Sequence, residues 1–325
     1  MNSSPKPLLL DILKKLNATQ FVSGEDLAEM FQISRANISL TLQQAKTFGV
    51  DIQRIHGKGY RLATSIDWLD ASQIQSLRQE TGSVTVLPVI DSTNTWMLQH
   101  PDDFEHGSCL LAECQTQGRG RRGRQWTSSI GGSLTFSLRW DFPFGIARLS
   151  GLSLATGVAI ARALHRVGLT SAQLKWPNDI LIHNKKLAGM LIETQGDALG
   201  PIQTIIGIGI NVHLTAEQRE EIAQSVTDLS EHFSHPPSRN AILAILLDEL
   251  HSVLKVFTEK GFAAFQSEWE SLHAWQNQPV SIMQNTTTIL QGIVTGVNAD
   301  GALVLRTPHG EEIVHAGDVS LRRAS

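Results

Sequence analysis

The sequence predicts an α+β protein of three successive domains, and three observations carry that prediction. At 325 residues the chain exceeds what one core comfortably fills, so two or three domains are expected. Its apolar pattern changes twice, from a helical period to β-branched runs alternating with helices, and then to β-prone runs alone. Charge divides the same way. Residues 1–64 hold eight Lys/Arg against five Asp/Glu, a net +3, while the whole chain is −4, which leaves −7 on the rest. The boundaries expected are 1–64, 65–276 and 277–325.

Composition narrows the class. With 41% hydrophobic and 18% charged residues the chain reads as an ordinary soluble protein, neither disordered nor fibrous. No apolar run approaches the roughly 18 residues that a membrane span needs. Leu8-Leu9-Leu10 is cut by Asp11 and followed by Lys14 and Lys15, which fits an amphipathic helix better than a signal peptide. A cytoplasmic location is the expectation. Cys109 and Cys114, five apart, fall on opposite faces of one strand and read as reduced thiols.

Each element follows in order. Leu9, Ile12, Leu13 and Leu16 form one stripe of a first helix over 7–17. Ser23-Gly24-Glu25-Asp26 starts a second helix, with Leu27, Ala28 and Phe31 facing inward. Ser34 caps a third, which turns Ile38, Leu42 and Ala45 inward and stops near Gly49. Two short β-prone runs, 50–55 and 60–62, are joined by His56-Gly57-Lys58-Gly59. Three helices and a glycine-turned hairpin make a winged helix-turn-helix. Its third helix suits the major groove, and its wing the phosphates. Ser34, Arg35, Asn37, Thr41, Lys58 and Arg61 are the DNA-binding candidates; Leu40 is an odd residue for an exposed reading face. A helical packing domain without nucleic acid is the alternative.

A connecting helix is expected over Asp67–Gln79, capped around Asp70. Strands follow at Val84–Ile90, Cys109–Glu113, Gly132–Trp140, Gln173–Trp176, Asp179–His183, Lys186–Thr194 and Gln203–Val212, with helices at 149–167 and 239–271. Many hairpins and few crossovers predict a largely antiparallel or mixed sheet. Past Pro279, five short strands around the turn Asn298-Ala299-Asp300-Gly301 predict a small SH3-like β-barrel.

The most telling stretch is Gly118-Arg119-Gly120-Arg121-Arg122-Gly123-Arg124, ending at Trp126. Its arginines repel one another and its glycines free the backbone, so a bound polyanion is its natural complement. A nucleoside triphosphate and its departing pyrophosphate fit. Similar tracts occur in RNA-binding tails and solvated basic patches. The position between two strands of a folded domain favours the nucleotide.

Five motifs stand in order: Asp91-Ser92-Thr93-Asn94, Gly118–Gly123, Lys175-Trp176-Pro177-Asn178-Asp179, Lys186-Leu187-Ala188-Gly189 and Gly207-Ile208-Gly209-Ile210-Asn211. Together they resemble the bifunctional biotin protein ligases, which are also biotin-operon repressors, and the resemblance runs end to end. Lipoate ligases share the catalytic fold but lack the arginine-glycine loop and the winged helix.

The resemblance implies a class II synthetase-like central domain that makes biotinyl-AMP from biotin and ATP and passes biotin to a lysine of the biotin carboxyl carrier protein of acetyl-CoA carboxylase. It implies Lys186, Arg119 and Arg121 as catalytic residues. Biotin would be bound by Ser92, Thr93, Asn94, Gln115, Gly118, Arg119, Gly120, Arg121, Lys186, Gly189, Gly207 and Gly209. ATP would meet Arg121, Arg122, Arg124, Trp126, Lys175, Asn178, Asp179 and Asn211, with Mg²⁺ accompanying it and neither zinc nor flavin involved. Operator DNA and a homodimer of the adenylate-bound protein are the further partners implied.

On their residues alone, Ser92-Thr93-Asn94 also reads as a helix cap and Lys186 as a surface lysine in a strand turn. Asp179 is either a metal ligand or a turn residue holding Asn178 or a backbone N–H, and Trp126 either a site wall or a core tryptophan. The polar segment 215–235 offers no assignable adenine contact. A regulator that binds biotin or its adenylate without ligating remains the alternative function.

Overall fold

A computed structural model describes residue 5, residues 7–317 and residues 319–324. The N-terminal domain comprises α1 (Pro7–Leu13), α2 (Gly24–Met30) and α3 (Arg35–Gln43) and the antiparallel hairpin of β1 (Ile52–Ile55) and β2 (Gly59–Leu62). Both predicted caps form: Ser23 Oγ accepts from Asp26 N at 2.9 Å, and Ser34 Oγ from Asn37 N at 3.2 Å. α3 tightens into a 3₁₀ turn, Gln44–Phe48, and stops at Gly49, whose φ of 80° suits glycine. Leu9, Leu13, Leu27, Ile38 and Leu42 pack with Phe48 and Tyr60 into one core. One expectation is corrected here. Thr41, three residues beyond the buried Ile38, shares the inward helix face and is only 7% exposed, so it is not on the DNA-reading side.

The central domain begins with α4 (Ala71–Leu77), shorter than the predicted 67–79 because Asp70 ends the extended lead-in by capping Gln73 N at 2.8 Å. There follow β3 (Val84–Ile90), α5 (Thr93–Gln99), β4 (Cys109–Gln115), β5 (Ser133–Phe142), α6 (Leu152–Arg166), β6 (Gln173–Lys175), β7 (Asp179–Ile182), β8 (Lys185–Gly196) and β9 (Ile202–Asn211). Then come α7 (Ala216–Glu221), α8 (Arg239–Lys260) and α9 (Gln266–Leu272). The seven strands form one mixed sheet in the order β3-β4-β5-β9-β8-β7-β6, parallel at β3–β4 and antiparallel elsewhere.

Alternation along β4 divides the layers. Cys109 and Leu111 join the main core with α6 and α8, while Leu110 and Ala112 face the other way, toward Met97 of α5. Cys114 points away from the α6–α8 layer, into the N-terminal core, as does Ile130, whose N–H donates to Phe48 O at 3.0 Å. A buried pair, Arg239–Glu113 at 2.9 Å, ties the start of α8 to β4. It is satisfied on both sides, since Glu113 also accepts from Leu69 N and Arg239 donates to Ser133 O.

The C-terminal module has β10 (Pro279–Gln284), β11 (Thr287–Val297), β12 (Leu303–Thr307), β13 (Gly310–Val314) and β14 (Val319–Arg323), all antiparallel in the order β13-β12-β11-β10-β14. Its apolar residues are continuous with the central core, and Trp176 Nε1 donates to Gly301 O at 3.0 Å across the junction. Among the described residues no helix is long and apolar enough to cross a membrane.

Candidate active site

A cleft opens where the ends of β8 and β9, the start of α5 and the β4–β5 connection converge, and β14 of the C-terminal module closes one side of it. Its empty space, open mouth included, is about 1230 Å³. Among the described residues seven Lys/Arg line it against one acid, Asp179. Such a surface calls for an anionic ligand.

One end is a neutral hydrogen-bonding nest. Ser92 caps α5, its Oγ accepting from Thr95 N at 3.5 Å, so the cap reading holds and the same residue also lines the cleft. Gln115 Oε1 accepts from both Thr93 N (2.7 Å) and Thr93 Oγ1 (3.0 Å). Asn94 spends both N–H groups, on Leu191 O (3.1 Å) and Glu193 Oε2 (2.9 Å), while its Oδ1 accepts from Ser137 Oγ at 2.6 Å. Asn94 therefore offers a ligand only its remaining lone pair, and Gln115 offers its amide nitrogen. One acceptor and one donor side by side match a cyclic urea.

Two glycines of β9 make the nest accessible. A Cβ at Gly207 would lie 2.2 Å from Asn94 Oδ1, and one at Gly209 would lie 2.3 Å from the Trp126 ring. Trp126 is thus a wall of the site, with its indole N–H buried and without a partner among the described residues.

The arginine loop spans the cleft mouth. Arg119 forks onto Glu193 at 2.8 and 3.3 Å. Arg121 donates to Asn178 Oδ1 at 3.1 Å and to Gly317 O at 2.8 Å, reaching the C-terminal module. Arg122, in the left-handed region at φ 61°, donates to Asn285 Oδ1 at 3.0 Å. Gly118 stands against Trp126 O, 2.4 Å from any added Cβ; Gly120 and Arg124 line the same mouth.

The opposite end is ionic. Lys186 Nζ lies 2.6 Å from Asp179 Oδ1 and 5.7 Å from the centre of the Trp126 ring; Lys175 Nζ lies 3.6 Å from Asp179 Oδ2. Burial pushes the Asp179 carboxyl up, but the ammonium groups of Lys186 and Lys175 prevail and hold it below the usual carboxylate range. Burial lowers Lys175, partly offset by Asp179. Gly189 is cut back for Lys186, whose Nζ would sit 2.9 Å from a Cβ there. Asn178 braces Met190 O at 2.8 Å, and Asn211 braces Thr227 O at 3.0 Å and Lys186 O at 3.4 Å, which leaves only Asn211 Oδ1 for a base.

Asp179 is drawn to the ionic end of the cleft rather than to its own turn. It is the counter-ion of two lysines, and among the described residues no three His, Cys, Asp or Glu gather to hold a metal. With one carboxylate in the cleft lining, Mg²⁺ would be held there only together with phosphate oxygens of a nucleotide.

Sequence reasoning missed several cleft residues. Leu191 was within reach, because it alternates with Gly189 onto one face of β8, and Glu193 follows on that face just behind the cleft wall, bonded to Asn94 and Arg119. Ile222, Gln224 and Val226, just past α7, line the cleft from the unassigned polar segment. Val319–Arg322 arrive from a separate module with no local signal.

On the N-terminal domain, Ser34 caps, Arg35 pairs with Glu25 at 3.0 Å, and Asn37 and Lys58 are exposed. Arg61 is held by Gln53 at 2.7 Å, and Arg54 donates to Ser39 Oγ at 3.3 Å, joining wing and α3. Leu40 is 61% exposed.

Comparison with known proteins agrees with this architecture. Residues 86–211 match the biotin/lipoate A/B protein ligase family, 277–322 the biotin protein ligase C-terminal domain, and 8–61 an HTH domain. The chain is 37% identical to the bifunctional ligase/repressor BirA of Escherichia coli (strain K12) over 97% of both chains. It is 26% identical to that of Bacillus subtilis (strain 168), covering 99% of this chain and all of that one. A solved biotin protein ligase from Aquifex aeolicus, in complex with biotin and ATP, superposes with a TM-score of 0.64 at 29% identity, covering 74% of this chain and 99% of that chain. Three matched domains in one order, and a full-length relative well above a third identical, place the chain in the family of bifunctional biotin protein ligases and repressors.

Proposed function

We propose that the chain joins biotin to ATP in this cleft and transfers biotin from the resulting adenylate to a lysine of a carrier protein, the biotin carboxyl carrier protein of acetyl-CoA carboxylase. The observation that carries the reading is the cleft's two-ended character: a neutral nest for a urea beside a cationic half for carboxylate and phosphates.

In the first step a biotin carboxylate oxygen attacks the α-phosphorus, an acyl–phosphate bond forms, the α–β phosphoanhydride breaks and pyrophosphate leaves. Two anions must approach, and Lys186 is held at the ionic end to offset their charge. A fixed donor of this kind contributes about 3 kcal/mol, or roughly 10²–10³-fold in rate. Arg121, Arg122 and Arg124 take the phosphates, and the loop keeps water from the mixed anhydride. Mg²⁺ brought in with ATP would offset phosphate charge there, with Asp179 the carboxylate of the cleft lining available to help hold it. In the second step the carrier amine attacks the activated carbonyl, an amide forms, AMP leaves and the amine proton passes to solvent. No protein nucleophile is required, and positioning supplies the acceleration.

The N-terminal domain adds operator binding, with the adenylate favouring a homodimer through the catalytic sheet. Its candidate face comprises Arg35, Asn37, Lys58 and Arg61. The alternative, a sensor that never ligates, has no use for Lys186 positioned beside an arginine loop.

Biotin-dependent ATP–pyrophosphate exchange tests the enzyme. We expect exchange in the unmutated protein and a drop of roughly 10²–10³-fold in Lys186→Ala. No exchange in either protein contradicts the proposal. A mobility shift on the chain's own promoter DNA, with and without biotin and ATP, tests the repressor.

A further inference from the structure

We propose that Glu193 is a positioning residue that couples the urea-reading end of the cleft to the arginine loop by holding Asn94 and Arg119 at once; the inference rests on the ligase reading. Glu193 Oε1 accepts from Arg119 Nη2 at 2.8 Å, and Oε2 accepts from Asn94 Nδ2 at 2.9 Å and Arg119 Nη1 at 3.3 Å. Arg119 Nη1 also donates to Thr95 Oγ1 at 3.3 Å, so the guanidinium bridges β8 and α5. Arg119 stands at the neck of the loop. Its backbone bridges to Gln125, and Gly120 N donates to Arg124 O at 2.8 Å. The neck is thus closed by backbone, and the Arg119 side chain ties it to β8 and α5.

Two physical points separate this from an incidental ion pair. An acid beside a cleft that receives carboxylate and phosphates repels its own substrates, so its presence needs an offsetting role. The pair is also partly exposed, at 47% and 22%, and such pairs add little stability. What Glu193 adds is direction. By taking one amide proton of Asn94, while Leu191 O takes the other, it leaves only the oxygen to face a urea N–H. Without it one Asn94 N–H is left unpaired, and only Leu191 O and Ser137 Oγ still orient the amide. The same loss releases the loop neck. Arg119 accordingly acts as a tether, and phosphate contact falls to Arg121 and the residues beyond it.

The experiment compares the unmutated protein with Glu193→Gln, Glu193→Ala and the charge-exchanged double variant Arg119→Glu/Glu193→Arg. Trypsin cutting after Arg121, Arg122 and Arg124, followed by mass spectrometry without ligand, reads the tether; pyrophosphate exchange reads the KM for biotin. Thermal melting identifies any variant that fails to fold. Glu193→Ala should be cut about fivefold faster and need about fivefold more biotin, with kcat within about twofold, as expected for loss of a partly exposed pair. Glu193→Gln, which keeps an acceptor, should fall between. The charge exchange should restore resistance to trypsin but not the biotin KM, because Asn94 still lacks its acceptor. The proposal is overturned if Glu193→Ala keeps either the unmutated cutting rate or the unmutated KM. Should the unmutated protein show no exchange, the ligase reading fails, and the trypsin comparison still decides the tether.

Discussion

At the scale of single residues, chemistry here depends on who neutralises whom. Lys186 was legible from its motif, but its counter-ion was not. Asp179 meets Lys186 only because β7 and β8 pair with Asp179 opposite Gly189, a register that no local pattern announces. A second buried group gives a pH signature. His273, 4% exposed and stacked on Trp269 at 4.6 Å, has its pKa pushed down to about 4 by burial, with Gln276 opposing. The unfolded chain binds its proton below about 6.5 and the folded chain only near 4, so stability falls as pH drops through that window. The contribution is roughly 3 kcal/mol at its full extent. Urea denaturation between pH 7 and 4 should show the stability of His273→Phe falling less than that of the unmutated protein; parallel pH curves would contradict this.

At the scale of elements, patterning located the strands of the sheet to within a few residues and the caps at Ser23, Ser34 and Asp70 directly. It was less informative about what each element faces. Thr41 lies inward because helical geometry outranks residue type, and the first helix ends at Leu13 although Leu16 remains buried, at 5%. The glycines of β9 were legible as a motif, yet their purpose needs the partners opposite. Gly207→Ala should push Asn94 aside, because the added methyl would stand 2.2 Å from its oxygen. The expected result is a rise of about tenfold or more in the Kd for biotin, the scale of one lost or misdirected hydrogen bond to a buried group. Isothermal titration with biotin alone checks it, and unchanged affinity would contradict it.

At the scale of the whole molecule, the order of three domains could be read from period and charge, while their docking could not. Cys109 and Cys114 are both buried, and burial pushes both thiols up to about 12, so neither should react with iodoacetamide near pH 8. Their protection has different sources, since Cys109 lies in the central core and Cys114 in the core shared with the N-terminal domain. Removing residues 1–64 should therefore expose Cys114 to alkylation and leave Cys109 protected, as peptide mapping would show. Equal protection of both would mean that the domains do not share a core. The C-terminal module likewise completes the cleft through β14 and holds Arg121 and Arg122 at the loop tip.

The central claim is that one cleft seats a urea at its neutral end and an acyl-phosphate under the arginine loop beside Lys186. A crystal structure determined after soaking with biotin and ATP measures this most directly. The account predicts a biotinyl adenylate with its ring system against Asn94 and Gln115 and its phosphate within hydrogen-bonding reach of Lys186 and Arg121. Ligand bound elsewhere, or a filled cleft with those two cations turned to solvent, would contradict it.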